Sequence, residues 1–111
     1  MEITESKRNG VVVLGIAGRI DATNAGAFEG KLLGLIAAGE RRFVVECSRL
    51  DYISSAGLRT LLVAAKRIRE AEGSIALAAL QEPVKEVLDI AGLTGLFEIA
   101  PDRTAALNGS E

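Results

Sequence analysis

Short aliphatic runs alternate with longer stretches in which apolar residues recur every three or four positions, and this alternation is the strongest constraint on the fold. Val11 to Ala17, Arg42 to Cys47 and Ile75 to Leu80 have strand length and are rich in β-branched residues. Between them, Phe28, Leu32, Leu35 and Ile36 form one helical face and Leu58, Leu61, Leu62, Ala65 and Ile68 another. Strands alternating with helices give parallel neighbours joined by right-handed crossovers, so an α/β layered domain is expected.

Punctuation residues refine this outline. Ile3 to Arg8 ends at Asn9-Gly10, a dipeptide suited to a tight hairpin, so the chain is expected to open with an antiparallel pair. Asp21 and Thr23 are N-cap types before the first helix, and Gly39 is its expected C-cap. The polar stretch Ser48 to Ser54 reads as an exposed loop. The second helix is expected from Ala56, with Arg59, Lys66, Arg67 and Glu70 outward, and Gly73 ending it. Glu82-Pro83 starts a third, with Val84, Val87, Leu88 and Ala91 inward before Gly92. Phe97 to Ile99 is a last short strand. Pro101-Asp102 opens a C-terminal helix that frays near Asn108-Gly109. The expected order is β-β-α-β-α-β-α-β-α, a mixed sheet of four to five strands in one domain spanning 1–111.

Composition narrows the function. With 111 residues, 49% hydrophobic and 25% charged, the chain is a globular domain rather than a disordered tail. Its 13 basic and 15 acidic residues leave a net charge of −2 without a basic block, which argues against nucleic-acid binding. The single cysteine, Cys47, has no internal disulfide partner and reads as a small buried hydrophobe. No signal-peptide pattern and no apolar run of about 20 residues is present, so a cytoplasmic protein without membrane insertion is expected. Absence of histidine removes imidazole as base, triad member or metal ligand, and no catalytic carboxylate pair stands out, so an enzyme is not expected.

Two features remain as candidate sites. Gly26, Gly30 and Gly34, with Ala22 and Ala38, make a small-residue stripe inside the first helix; it lacks the strand-to-helix placement of a phosphate loop, and an ordinary helix with tolerated glycines is favoured over a docking groove. The second is Asp51 to Arg59, where a polar segment delivers Ser54 and Ser55 to a helix start. A serine there can cap orphan N–H groups, and a helix N-terminus also favours an anion. Gly57 leaves one side of the first turn bare for close approach. On these grounds alone, simple capping is the better account.

Tyr52-Ile53-Ser54-Ser55-Ala56-Gly57-Leu58 resembles the signature loop of STAS domains of the anti-sigma factor antagonist type. Gly18-Arg19-Ile20-Asp21 and the segment Pro83 to Phe97 resemble two further family segments, in the same order. The resemblance implies that Ser55 accepts a phosphate, with Ser54, at a position that is aspartate in sporulation-type members, as the alternative acceptor. Ala56 stands where a serine or threonine is frequent. It also implies partner switching, in which the unmodified protein binds an anti-sigma factor that is a serine kinase. Phosphorylation ends the binding and a serine phosphatase restores it. ATP and Mg belong to the kinase, so no cofactor is expected here, and the chain is expected to be a monomer. Partner contacts are expected from Asp21, Thr23, Tyr52, Ser54, Ser55, Ala56, Gly57 and Arg59. Capping explains Asp21 equally well, solvation explains Arg59, and Asp51 reads as a loop former rather than a metal ligand. The rival is a STAS accessory subunit of a lipid-transporting ABC complex that is never phosphorylated.

Overall fold

The computed structural model describes residues 1–110; the expected domain limit at Glu111 lies outside them. β1 (Glu2–Arg8) and β2 (Val11–Ile20) form the antiparallel pair, turning through Asn9 and Gly10, both at positive φ. Next along the chain are α1 (Ala25–Ala37), β3 (Arg42–Ile53), α2 (Ser55–Glu70), β4 (Ser74–Ala78), α3 (Glu82–Ile90), a 3-10 turn (Thr94–Leu96), β5 (Glu98–Ala100) and α4 (Arg103–Ser110). The sheet order is β1-β2-β3-β4-β5, with β2 to β5 parallel. The mixed α/β architecture and its element order are those expected.

Strand alternation sorts the core into two layers. Val12, Leu14, Ile16, Phe43, Val45, Ile75 and Leu77 meet the buried faces of α1, α2 and α3. Val11, Val13, Val44, Ala76 and Ala78 turn the other way, onto Ala106 of α4. Small side chains on that second face let the short α4 sit close.

The largest departure from expectation is Ser48 to Ser54, which is not a loop: β3 continues to Ile53. Two bulges explain the misreading. Glu46 to Arg49 lies opposite Gly15 to Ala17, and Leu50 to Tyr52 opposite Gly18 to Arg19, so β3 carries one extra residue at each. The inward residues therefore run Phe43, Val45, Cys47, Leu50, Ile53, and the spacing changes from two to three. Polar pairs at Ser48-Arg49 and Asp51-Tyr52 imitate a loop in the sequence.

Helix details differ as well. The residue preceding α1 is Asn24, not Asp21 or Thr23, and its side chain caps nothing in the helix. Gly39 does adopt the left-handed conformation just past α1. Past α2 that role falls to Glu72, whereas Gly73 is needed for space: a Cβ there would lie 2.1 Å from the Arg41 carbonyl oxygen. Gly26, Gly30 and Gly34 face open space. On α3 only Val84 and Leu88 are buried; Val87 and Ala91, expected inward, lie outside, because nine residues can turn only one narrow stripe toward the sheet. Among the described residues no helix is long and apolar enough to cross a membrane.

Leu61 is 3% exposed, whereas Leu62 is half-buried at the core's margin. Leu61→Ala should lower unfolding stability by about 2–5 kcal/mol. Leu62→Ala should cost less than about 2 kcal/mol, having less apolar surface to lose. Denaturant midpoints of the two variants, measured side by side, check the helix phase.

Candidate functional site

The serine pair lies where β3 hands over to α2. Ile53 is the last strand residue, paired with Ile20 of β2, and the N–H of Ser54 donates to the Ile20 carbonyl at 2.9 Å. Ser54 is the N-cap of α2: its backbone is extended and its Oγ accepts the Gly57 N–H at 3.2 Å. Its carbonyl accepts the Leu58 N–H at 2.9 Å, the first bond of the helix. Ser55 is the first helical residue and is exposed. The two serines thus have different surroundings, a difference that their adjacency in the sequence conceals.

Gly57 corrects a second expectation. Its bare flank faces inward: an added Cβ would stand 2.6 Å from Ile53 Cγ1 and 2.8 Å from Ile20 Cγ2. Glycine is required because α2 starts hard against the two isoleucines that close β2 and β3. Gly57 therefore sets the helix's position and is buried. Ala56 and Leu58 are half-buried and pack on the same core. Thr60, buried one turn on, donates from Oγ1 to the Ala25 carbonyl at 3.3 Å and so ties α2 to the start of α1.

That tie brings the β2–α1 loop beside the serines. Asp21 directly succeeds Ile20, and its Oδ1 accepts both the N–H of Thr23, at 3.0 Å, and the Thr23 hydroxyl. Asn24 closes the loop, accepting the Asp21 N–H on Oδ1 and donating from Nδ2 to the Arg19 carbonyl, each at 2.9 Å. The Thr23 hydroxyl, then the Thr23 N–H and to a lesser degree the positive Arg19, hold the Asp21 carboxyl below its ordinary 3.8, against partial burial, which raises it. Asp21 is thus ionised at neutral pH. Stability drawn from its folded-state bonds is present above its ordinary pKa and is lost as pH falls through the lower folded value.

Arg19 lies beside these residues without any local signal in the sequence. It lies opposite Tyr52 in the β2–β3 ladder and stacks its guanidinium 4.2 Å from the ring centroid. Tyr52 remains 41% exposed under it. Only the bulged register places these two residues side by side, so no local spacing reveals the pair. Arg59 is exposed one turn beyond Ser55, on the same helical face. Asp51 is exposed and accepts from Gln81 Nε2 at 3.3 Å. Cys47 is buried, donates to the Val45 carbonyl at 3.4 Å, and has its thiol pushed up to about 12 by burial and then by Glu46. It is a protonated packing residue at neutral pH.

The candidate site is therefore the surface formed by the β2–α1 loop, the outer end of β3 and the first turn of α2. Residues 2–106 match the family described as STAS domain. The chain belongs to the STAS domain family. Across 96% of this STAS protein and 91% of the relative, it is 40% identical over 106 residues to BtrV of Bordetella bronchiseptica, a candidate anti-sigma factor antagonist. Among solved structures it resembles an anti-sigma factor antagonist from Mycobacterium paratuberculosis, with a TM-score of 0.88 and 22% identity over 98% of this chain and 92% of that one. It also resembles the phosphorylated form of SpoIIAA, a Bacillus cell fate determinant, with a TM-score of 0.80 and 17% identity over 99% and 100% of the two chains. Family and fold agree with the resemblance carried by the three sequence segments.

Two stability measurements separate the residues of the turn. Ser54→Ala should cost about 0.5–2 kcal/mol, the usual range for an N-cap, while Ser55→Ala should stay within about 0.5 kcal/mol of the parent. Equal losses would mean that the hydroxyls share the cap. Gly57→Ala should cost about 1–3 kcal/mol by crowding Ile20 and Ile53. A parental melting temperature in Gly57→Ala would show that the α2 start is looser than this packing implies.

Proposed function

We propose that this STAS protein is an anti-sigma factor antagonist. Through the surface around Ser55 it binds an anti-sigma factor that is also a serine kinase, and phosphorylation of Ser55 by that kinase ends the binding. A serine phosphatase restores it. ATP and Mg are the kinase's, and this chain is its substrate and binding partner rather than an enzyme. Partner contacts fall to Asp21, Thr23, Tyr52, Ser54, Ser55, Ala56 and Arg59, with Arg19 added; the buried Gly57 serves by fixing the helix.

The observation that carries the proposal is the division of labour between the serines. Ser54 caps α2, so the bland account of a serine at this place is used up by Ser54 alone. Ser55 keeps an exposed hydroxyl on the first turn. No acidic residue occupies that turn. The N–H groups of Ser55 and Ala56 lie in the helix end, where an anion is favoured. The anti-sigma factor antagonists among the relatives support the same assignment of partner class.

A phosphoserine adds about −1.5 to −2 charges and three acceptor oxygens. At the α2 start that charge is compatible with folding, because negative charge at a helix N-terminus stabilises by about 0.3–1 kcal/mol. Ser55→Asp should therefore be at least as stable as the parent, yet bind the anti-sigma kinase at least about tenfold more weakly, a loss of about 1.4 kcal/mol. Ser55→Ala should bind normally and gain no mass on incubation with kinase and ATP. Intact-mass spectrometry and calorimetric titration of the three proteins with a candidate kinase decide the matter. One phosphate gained by Ser55→Ala would move the acceptor to Ser54 or another hydroxyl. A parent that is never modified, while Ser55→Asp still loses its partner, would keep the surface and remove the switch.

A further inference from the structure

The β3–β4 ladder ends at Glu46 opposite Ala78, so from Cys47 onward β3 has a strand on its β2 side only. Over this same length it carries both bulges. A strand with a neighbour on one side only leaves its carbonyls on the other side without ladder donors, and they need another source of N–H groups. This stretch leads directly into Tyr52, Ser54 and Ser55.

One side chain occupies the place of the missing strand. Gln81 Nε2 donates to the carbonyls of Ser48 at 3.1 Å and Leu50 at 3.0 Å, and lies 3.3 Å from Asp51 Oδ1. A primary amide has two N–H groups, so the two carbonyls take both and Asp51 shares one. Ser48 belongs to the first bulge and Asp51 to the second, and Leu50 joins them. The Ser48 N–H is held separately, by Glu46 Oε1 at 2.7 Å. Gln81 is itself fixed: it is the N-cap residue of α3, its carbonyl accepts the N–H groups of Val84 and Lys85, and α3 is anchored by buried Val84 and Leu88. The amide is therefore a rigid strut between α3 and the bulged end of β3.

We infer that Gln81 is a positioning residue for the Ser55 surface. Its amide fixes both bulges and so sets how Tyr52, Ser54 and Ser55 are presented to a protein partner. The inference rests on Ser55 being the phosphate acceptor. Nothing near Gln81 in sequence reveals this role, since its acceptors lie some thirty residues earlier.

Gln81→Glu is the discriminating variant, because it keeps size and shape but turns acceptor oxygens toward two carbonyls and a carboxylate. Gln81→Lys restores donors to the same place. Amide hydrogen exchange on the whole chain should show Leu50 to Ser54 exchanging at least about tenfold faster in Gln81→Glu, with Val44 and Val45 as protected as in the parent. With the kinase used to test Ser55, kcat/KM for phosphorylation should fall by a similar factor. Gln81→Lys should return both readouts to within about threefold of the parent. Unchanged exchange in Gln81→Glu overturns the inference, and so does faster exchange with phosphorylation at the parental rate, which makes the amide structural only. A parent that takes no phosphate overturns the Ser55 reading and this inference with it. A parent modified normally, with Gln81→Glu matching it, overturns this inference alone.

Discussion

Two extra residues in β3, set against the nine of β2 from Val12 to Ile20, govern the Ser55 end of the molecule. Were β3 straight from Phe43 opposite Val12, Ile53 would overshoot Ile20 by two positions, and Arg49 and Asp51 in place of Leu50 would take the inward phase of Phe43, Val45 and Cys47. With them the two isoleucines end their strands side by side, and both point into the core. Gly18, on the β2 side of the second bulge, takes positive φ, a conformation that a side chain there would strain. The bulges are thus shared by both strands.

On this base the close packings build one upon another. The paired isoleucines form a floor that only a glycine can touch, so α2 begins with Gly57 in its first turn. Gly57 places its N–H for the Ser54 hydroxyl. Thr60, at the next turn, reaches the Ala25 carbonyl and draws in the start of α1. That in turn fixes the loop in which Asp21 is bonded by Thr23. Ser55 and Asp21 therefore have settled places although both are on loops or helix ends.

The sequence made much of this legible, and the limits are physical. Where one element obeys one period, its phase could be read: Leu61, Ala65 and Ile68 face inward as the 3.6-residue spacing requires, and Val11 to Ile16 alternates between two layers. Where the period changes inside an element, it could not. Cys47, Leu50 and Ile53 are spaced by three within a strand, which no single template matches, and the outward polar pairs passed for a loop. Val87 and Ala91 fail for a different reason. The apolar stripe of α3 is wider than the sheet beneath it uses, so Val87 is 38% and Ile90 83% exposed, and periodicity reports a stripe's width but not how much is covered. Pairings across distance, such as Arg19 on Tyr52 and Gln81 on Leu50, depend on register and leave no local signal. The serine pair was found from its motif; its division into cap and free hydroxyl needed the backbone of Ser54.

That division bears on how a phosphate at Ser55 would act. A switch that worked by breaking the helix cap would unfold the first turn of α2, loosen Gly57 from the isoleucines and disturb the core, a costly way to change one surface. Because the cap belongs to Ser54, a phosphate on Ser55 leaves the Ser54 cap and the first backbone bond of the helix in place. Its effect is then confined to the outside. The neighbouring Asp21 is ionised, its carboxyl held below the ordinary range, so the new charge adds to a negative one already present. The Arg19 guanidinium is engaged on the Tyr52 ring. Arg59, one turn along, is the exposed cation on the same helical face, in the i, i+4 relation where a side-chain pair is worth only about 0.2–0.5 kcal/mol. Such partial neutralisation is modest beside the cost of desolvating a doubly charged group in a packed interface, several kcal/mol for a single buried ion. A phosphate here would be tolerated by the fold and rejected by any partner that must cover it with apolar or acidic surface, and this asymmetry requires no movement of the backbone.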